Sequence, residues 1–245
     1  LACMSTVFPA WAEDSGTPYA GFSAKVTGDI YGQVKVLDDI DGDGKKDLVF
    51  GATDGMVHLF SAKGTEIFGG LWPKHTGGPI LADVSVADLD DDGKKEVVVG
   101  SYDGKVYALN SWGKEMWKVD TRGTIQMSSP EVADMEGDGK LKVFVGSRSG
   151  KVSCIDNMGG LVWEIPMSAK VSGRVTAIDL DGDGKKEVIC KDDSGKVTVL
   201  NRTGSVFSGW PQNTVPSLDW PFEVSATDLD GDGRNRGGEH RQRAR

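Results

Sequence analysis

The sequence predicts an all-β fold, a β-propeller of four-stranded antiparallel blades, and three observations carry that prediction. A nine-residue acidic segment occurs five times, beginning at Asp39, Asp88, Asp134, Asp179 and Asp228, at intervals of 49, 46, 45 and 49 residues. Each copy is followed by the same succession of short apolar runs and glycine-containing turns. Nowhere do the apolar residues take the 3.6-residue period of a helix.

The elements of one unit read in order. An alternating run precedes the acidic segment, as in Val84-Ser-Val86 and Arg174-Val-Thr-Ala-Ile178. A solid apolar run follows it: Leu48-Val-Phe50, Val97-Val-Val99, Val143-Phe-Val145 and Val188-Ile-Cys190. Such runs suit strands covered on both faces, as in stacked blades. A two-residue turn comes next, Asp54-Gly55, Asp103-Gly104, Ser149-Gly150 or Ser194-Gly195, which is hairpin chemistry. A third strand, as in Lys105-Val-Tyr-Ala-Leu109, leads to a second turn ending in Gly64, Gly113, Gly159 or Gly204. The fourth strand is expected to carry an aromatic, Phe68, Trp117, Trp163 or Phe207, wedged between neighbouring blades. Four units are complete and the fifth stops just after its acidic segment, so the chain reads as a truncated array of more blades.

The ends differ from the repeats. Residues 1–12 are uncharged and mostly apolar, and Ala10-Trp11-Ala12 fits signal-peptidase cleavage, so this stretch reads as part of a secretory signal. Leu1-Ala2-Cys3 offers the alternative of a lipoprotein anchor. Residues 13–236 hold the repeats, and 237–245 form a basic tail read as non-native or disordered. Localisation is accordingly expected to be secreted, periplasmic or at the cell surface. Cys154 and Cys190 lie in apolar runs and read as buried free thiols rather than a disulfide framework.

Composition removes several classes. A net charge of −9 argues against nucleic acid as the partner. No stretch approaches the ~20 apolar residues of a membrane helix. The 34 glycines show no triplet period, which excludes collagen, and 38% hydrophobic residues exclude a disordered chain. The five acidic segments hold 19 acids and ten basic residues, so their own net charge equals that of the whole protein. The acidity is confined to the loops.

Those loops present carboxylates at positions 1, 3, 5 and 9, glycine at 6 and a backbone carbonyl at 7. Hard oxygen donors on one tight turn are what Ca²⁺ requires. The first loop offers Asp39, Asp41, Asp43, Asp47 and the carbonyl of Lys45. The second offers Asp88, Asp90, Asp92, Glu96 and Lys94, and the fourth Asp179, Asp181, Asp183, Glu187 and Lys185. The third has Asp134, Glu136 and Asp138 but closes with Lys142, whose ammonium repels a cation, so a weak or empty site is expected. The fifth, Asp228, Asp230 and Asp232, closes with Arg236 and meets the same objection. Position 12 is Phe50, Val99, Val145 or Cys190 where an EF-hand needs Glu, and strands flank the loop where an EF-hand has helices.

The Asp-x-Asp-Gly-Asp-Gly-x-x-Asp/Glu loop followed by an apolar strand resembles the FG-GAP/VCBS repeat family, the calcium-loop propellers that include the integrin α-subunit head and many secreted bacterial proteins. The resemblance covers about residues 30–236 and implies structural Ca²⁺ in the loops. Gly70-Leu-Trp-Pro73 and Gly209-Trp-Pro-Gln212 look like the connectors between such repeats in secreted bacterial chains. Gly104-Lys-Val-Tyr-Ala-Leu-Asn110 with Gly113-Lys-Glu-Met-Trp117 is similar to the blade motif of quinoprotein propellers, read here as shared architecture.

No nucleophile elbow, P-loop, dinucleotide fingerprint or zinc pair is present, and no catalytic residue is assigned. His58, His75 and His240 are scattered. A calcium-dependent polysaccharide lyase is the enzymatic alternative, for which the sequence offers no base. The reading adopted is a calcium-binding recognition module for adhesion, with an extracellular protein or glycan as partner. Trp72, Lys74, His75, Trp210, Gln212, Asn213, Asp219 and Trp220 are its candidate surface residues.

Overall fold

The structure, a computed structural model, describes residues 25–67, 71–214, 224–227 and 236–239. Four antiparallel four-stranded sheets follow one another, each a simple up-and-down meander. The first contains β1 (Lys35–Leu37), β2 (Asp47–Gly51), β3 (Met56–Phe60) and β4 (Lys74–His75). The second contains β5 (Ser85–Ala87), β6 (Glu96–Gly100), β7 (Lys105–Leu109) and β8 (Glu115–Asp120). The third runs through β9 (Glu131–Asp134), β10 (Leu141–Ser147), β11 (Lys151–Asp156) and β12 (Leu161–Pro166). The fourth runs through β13 (Thr176–Ile178), β14 (Glu187–Lys191), β15 (Lys196–Leu200) and β16 (Gln212–Asn213). A further pair, β17 (Val224–Thr227) with β18 (Arg236–Glu239), begins a fifth unit. The rest of the N-terminal stretch and of the basic tail lies outside the described residues, as do Phe68, Asp219, Trp220 and His240.

First strands pack on first strands: β1 on β5, β5 on β9, β9 on β13 and β13 on β17. The sheets are therefore blades around a shared inner edge, in an open succession among the described residues. The core lies between blades. Val97 and Val99 on β6 pack with Val49, Val57 and Leu59 of the first blade. Val98, on the opposite face of the same strand, packs with Val143, Val145 and Ile155 of the third. Period-two alternation thus splits one apolar run between two cores, and each fully buried valine contributes about 1.5–3 kcal/mol.

Gly100, at the end of β6, leaves room for Ile125 from the segment leading to the next blade. A Cβ there would lie 2.6 Å from Ile125 Cγ2. Gly51 and Gly146 meet Ile80 and Val171 in the same way.

The fourth strands depart from expectation in the first and fourth blades. Phe207 bonds back to Val199 O at 2.8 Å, but regular pairing resumes only at Gln212–Asn213, beyond the cis Trp210–Pro211 peptide. The Trp-Pro segments are therefore part of the blade edge rather than links between repeats. A proline cannot donate to the strand ladder, so pairing is interrupted there.

The tryptophans join blades in a repeating way. Trp72 donates its indole N–H to Ser111 O of the next blade at 2.9 Å, Trp117 to Asn157 O at 2.9 Å, and Trp163 to Arg202 O at 3.0 Å. Each acceptor lies in the turn between third and fourth strands, whose glycine packs on the indole. Gly113, at φ 75°, lies so close to the Trp72 ring that an added Cβ would come within 3.0 Å of its Cδ2. Trp72 is consequently buried, at 5% exposure, where the sequence suggested an exposed residue. His58 is also buried, stacked on Phe50, with Nδ1 2.5 Å from Glu66 and Nε2 3.1 Å from Asp54. Cys154 and Cys190 are buried free thiols, each pushed up to about 12 by burial.

Candidate metal centres

Each of the four described acidic loops joins the first strand of a blade to its second, and the aspartate at position 1 organises it from within. Asp39 Oδ1 accepts the Gly42 N–H at 2.7 Å and its Oδ2 accepts the Gly44 N–H at 2.8 Å. Asp179 does the same with Gly182 and Gly184, at 2.7 and 2.8 Å, and Asp134 with Gly137 and Gly139, both at 2.8 Å. Asp88 accepts from Gly93 at 2.9 Å. The carboxylate at position 5 takes the N–H of the lysine at position 7: Lys45 to Asp43 at 3.0 Å, Lys94 to Asp92 at 2.8 Å, Lys185 to Asp183 at 2.8 Å. Short aspartate side chains cap their own backbone in this manner, which accounts for their dominance in the loop.

The acid at position 9 opens the second strand and is buried. One oxygen of Asp47, Glu96 and Glu187 accepts the N–H of position 2, from Ile40 at 2.7 Å, Leu89 at 2.8 Å and Leu180 at 2.9 Å. Burial, followed by the negative charge of the other loop acids, pushes the Asp47 and Glu187 carboxyls above their ordinary range and Glu96 up to about 7. Asp47 Oδ1 and Asp88 Oδ1 are buried without a hydrogen-bond partner.

Carboxylate oxygens of Asp39, Asp41 and Asp43 lie within 4.8 Å of one another. So do those of Asp88, Asp90 and Glu96, and those of Asp179, Asp181 and Glu187. That span matches the width of an oxygen cage around an ion bonded at about 2.3–2.6 Å. With the two orphaned buried oxygens and an all-oxygen donor set, the residues fit a hard divalent cation. Asp47, Asp92 and Asp183 stand outside these triads. Asp43 is also engaged by Lys63 at 3.0 Å, whose hydrogen bond holds its carboxyl below the usual range.

The third loop is built differently. Among the described residues no acidic triad forms in it. Lys142 stands at position 9, Glu136 pairs with Arg202 of the next blade at 3.1 Å, and Lys186 N–H reaches Met135 O at 3.0 Å. Hydrogen bonds from Gly139 and neighbouring N–H groups hold Asp134 below its ordinary value. Asp228, Asp230 and Asp232 of the fifth loop lie outside the described residues.

Clefts open between two of the loops and the turn joining third and fourth strands in the same blade. One, of about 390 Å³, lies beside the second loop and is bordered by Trp112. The other, of about 240 Å³, lies beside the fourth and is bordered by Arg202 and Phe207. Sequence reasoning passed over Trp112. The signal available was its place in the second turn, where Lys63, Met158 and Thr203 stand in the other blades.

Comparison with known proteins agrees with this architecture. The model of the FG-GAP-like repeat matches residues 39–99, 88–145 and 179–235. Among curated proteins none matches. Sqt1 of Saccharomyces cerevisiae is similar in structure, with a TM-score of 0.64 at 15% identity over 94% of this chain and 61% of that one. BBS1N, in its complex with ARL6DN, gives 0.56 at 17% identity over 91% and 66%. The computationally designed Ika8 protein gives 0.53 at 16% identity over 79% and 55%. The chain spans less than two thirds of each of these structures, and at such identities the likeness concerns the fold alone.

Proposed function

This chain belongs to the FG-GAP-like repeat family, and from that premise we propose that it is a calcium-stiffened recognition module, secreted or held at the cell surface or in the periplasm. Ca²⁺ is held by Asp39, Asp41, Asp43 and Asp47 in the first loop, by Asp88, Asp90, Asp92 and Glu96 in the second, and by Asp179, Asp181, Asp183 and Glu187 in the fourth. The carbonyls of Lys45, Lys94 and Lys185 complete the sets. The third loop takes none, because Lys142 and Arg202 already supply positive charge there. The observation that carries this reading is the pairing of buried closing acids with orphaned buried oxygens at Asp47 and Asp88, an arrangement that costs stability until a cation enters.

When bound, the ion supplies charge neutralisation and cross-linking of the loop. The protein's own residues do the rest. The position-1 aspartates shape the turn, the closing acids tie it to the second strand, and the loop and turn surfaces of the blades are held in fixed relation. Such a face suits adhesion, through a protein or glycan partner. A structural neighbour, BBS1N, was solved in complex with another protein, which supports protein recognition as one use of the architecture. No helix among the described residues is long and apolar enough to cross a membrane. Three bound ions would bring the formal net charge from −9 to about −3.

Calcium titration by calorimetry, run beside thermal melts in Ca²⁺ and in EDTA, tests the proposal. Three sites and a higher melting temperature with Ca²⁺ are expected, since a ligand bound only by the folded state stabilises it by mass action. Identical melts in Ca²⁺ and EDTA would refute it.

A further inference from the structure

We infer that the cleft beside the second loop is a saccharide subsite with Trp112 as its platform, an inference that rests on the recognition role proposed above. Trp112 differs from Trp72, Trp117 and Trp163, whose indoles are spent on the neighbouring blade. Its side chain is 55% exposed, and among the described residues its indole N–H has no partner.

The backbone beneath it is locked. Asn110 Oδ1 accepts the N–H groups of Trp112 and Lys114 at 3.1 and 3.0 Å. Asn110 O accepts from Gly113 at 2.8 Å, Trp112 O accepts from Leu71 at 3.0 Å, and Trp72 donates to Ser111 O at 2.9 Å. The turn that carries the indole is fixed from both sides, so binding need not order its backbone, and the indole has only two torsions to lose.

The cleft lies within the range of about 300–1,000 Å³ usual for small-molecule sites. Apart from the indole and the partly buried Met116, its lining is polar and charged, with Asp90, Asp92, Glu96, Asn110, Lys94 and Lys114 among it. One flat apolar plate amid hydrogen-bonding groups matches a pyranose, which has an apolar C–H face and a rim of hydroxyls. Counting Glu115, the lining carries four acids and two lysines, and with Asp88, the remaining ligand of the same ion, one bound Ca²⁺ leaves the site slightly acidic. The ligand class is therefore a neutral hexose oligosaccharide rather than a uronate. The fourth blade has the corresponding cleft, but its turn offers Arg202 and Thr203 where the second offers Ser111 and Trp112.

The test is calorimetry of the calcium-loaded chain against neutral gluco-, manno- and galacto-oligosaccharides and an oligouronate. Neutral oligosaccharide binding is expected, weakened at least about tenfold by Trp112→Thr, the residue the fourth blade carries there, and largely retained by Trp112→Phe. Met158→Ala, an exposed apolar residue outside the cleft, should leave binding unchanged. Melting curves confirm that the variants fold. Saccharide binding indifferent to Trp112→Thr would overturn the subsite while leaving the recognition role standing. Binding of no saccharide, or of the uronate alone, would overturn the ligand class, and the calcium titration would still judge the metal reading separately.

Discussion

Glu96→Gln separates a metal ligand from an ordinary core residue. Glu96 is 1% exposed, and Gln retains both its shape and the oxygen that accepts the Leu89 N–H at 2.8 Å. Only the charge is lost. Without metal that charge is a burden, because burial holds the carboxyl up at about 7 while an unfolded Glu ionises near ~4.3. A carboxyl raised in this direction supports the folded state below its unfolded value, and that support disappears as pH rises through the folded one. At ~1.36 kcal/mol per tenfold the full difference is roughly 4 kcal/mol, and water reaching the loop reduces it to about 1–3 kcal/mol. In EDTA at pH 8 the variant should therefore melt above the parent, by roughly 2–4 °C per kcal/mol for a chain of this size. With Ca²⁺ the relation changes. A site at 100 times its Kd stabilises by about 2.7 kcal/mol, and the variant should forfeit most of its second-loop share. Differential scanning calorimetry in EDTA and in a calcium series is the assay. If Glu96→Gln lowers the melting temperature in EDTA, or if calcium raises both proteins equally, the reasoning about the second loop is wrong.

Other expectations follow from single contacts. Asp181→Ala should lower the calcium stoichiometry by one in calorimetry, whereas Glu136→Ala should leave it unchanged. Trp72→Phe removes the N–H bonded to Ser111 O and should cost about 1–3 kcal/mol in urea unfolding, because the buried carbonyl is left unpaired. Gly100→Ala forces a Cβ against Ile125 and should cost about 1–3 kcal/mol, with partial recovery in the double variant carrying Ile125→Ala. Asp103 is pushed up by burial, but hydrogen bonds from Tyr107 and Lys105 outweigh it and hold the carboxyl below its ordinary value. Its support is complete above ~3.9 and is lost as pH falls through the lower folded value. Asp103→Asn should accordingly flatten the acid limb of a urea-midpoint profile between pH 2 and 5.

Much of this was legible in the sequence because a blade is encoded locally. The run Val97–Val99, the Asp103-Gly104 turn and the acidic loop each sit within a few residues of what they pair with, so period and turn chemistry locate them. What period cannot carry is the partner across a blade boundary. Trp72 and Trp117 look alike as aromatics near an outer edge. That both donate to a carbonyl some forty residues onward is a matter of how blades stack, and it hides Trp72 from solvent. The loop ligands were legible by type, yet the closeness of Glu96 to Asp88 and Asp90, against the exclusion of Asp47 from its own triad, depends on side-chain length within the folded turn. Trp112 was missed for the opposite reason. It interrupts no pattern: the turns holding Met158 and Thr203 are fixed by the same bonds, and its exposure over the cleft beside the second loop is what distinguishes an offered indole from an incidental one.

The indole joint also bears on how such a chain lengthens. Each middle repeat carries both halves: an acceptor turn facing the blade before it and a donor tryptophan facing the blade after it. Duplicating one stretch of some 45 residues copies lock and key together, and the inserted blade meets correct neighbours on both sides without compensating change elsewhere. Among the described residues these joints link adjacent units, so a substitution that spoils one joint leaves the other joints in place. Blade number can drift in descent while the contacts that specify a blade stay the same.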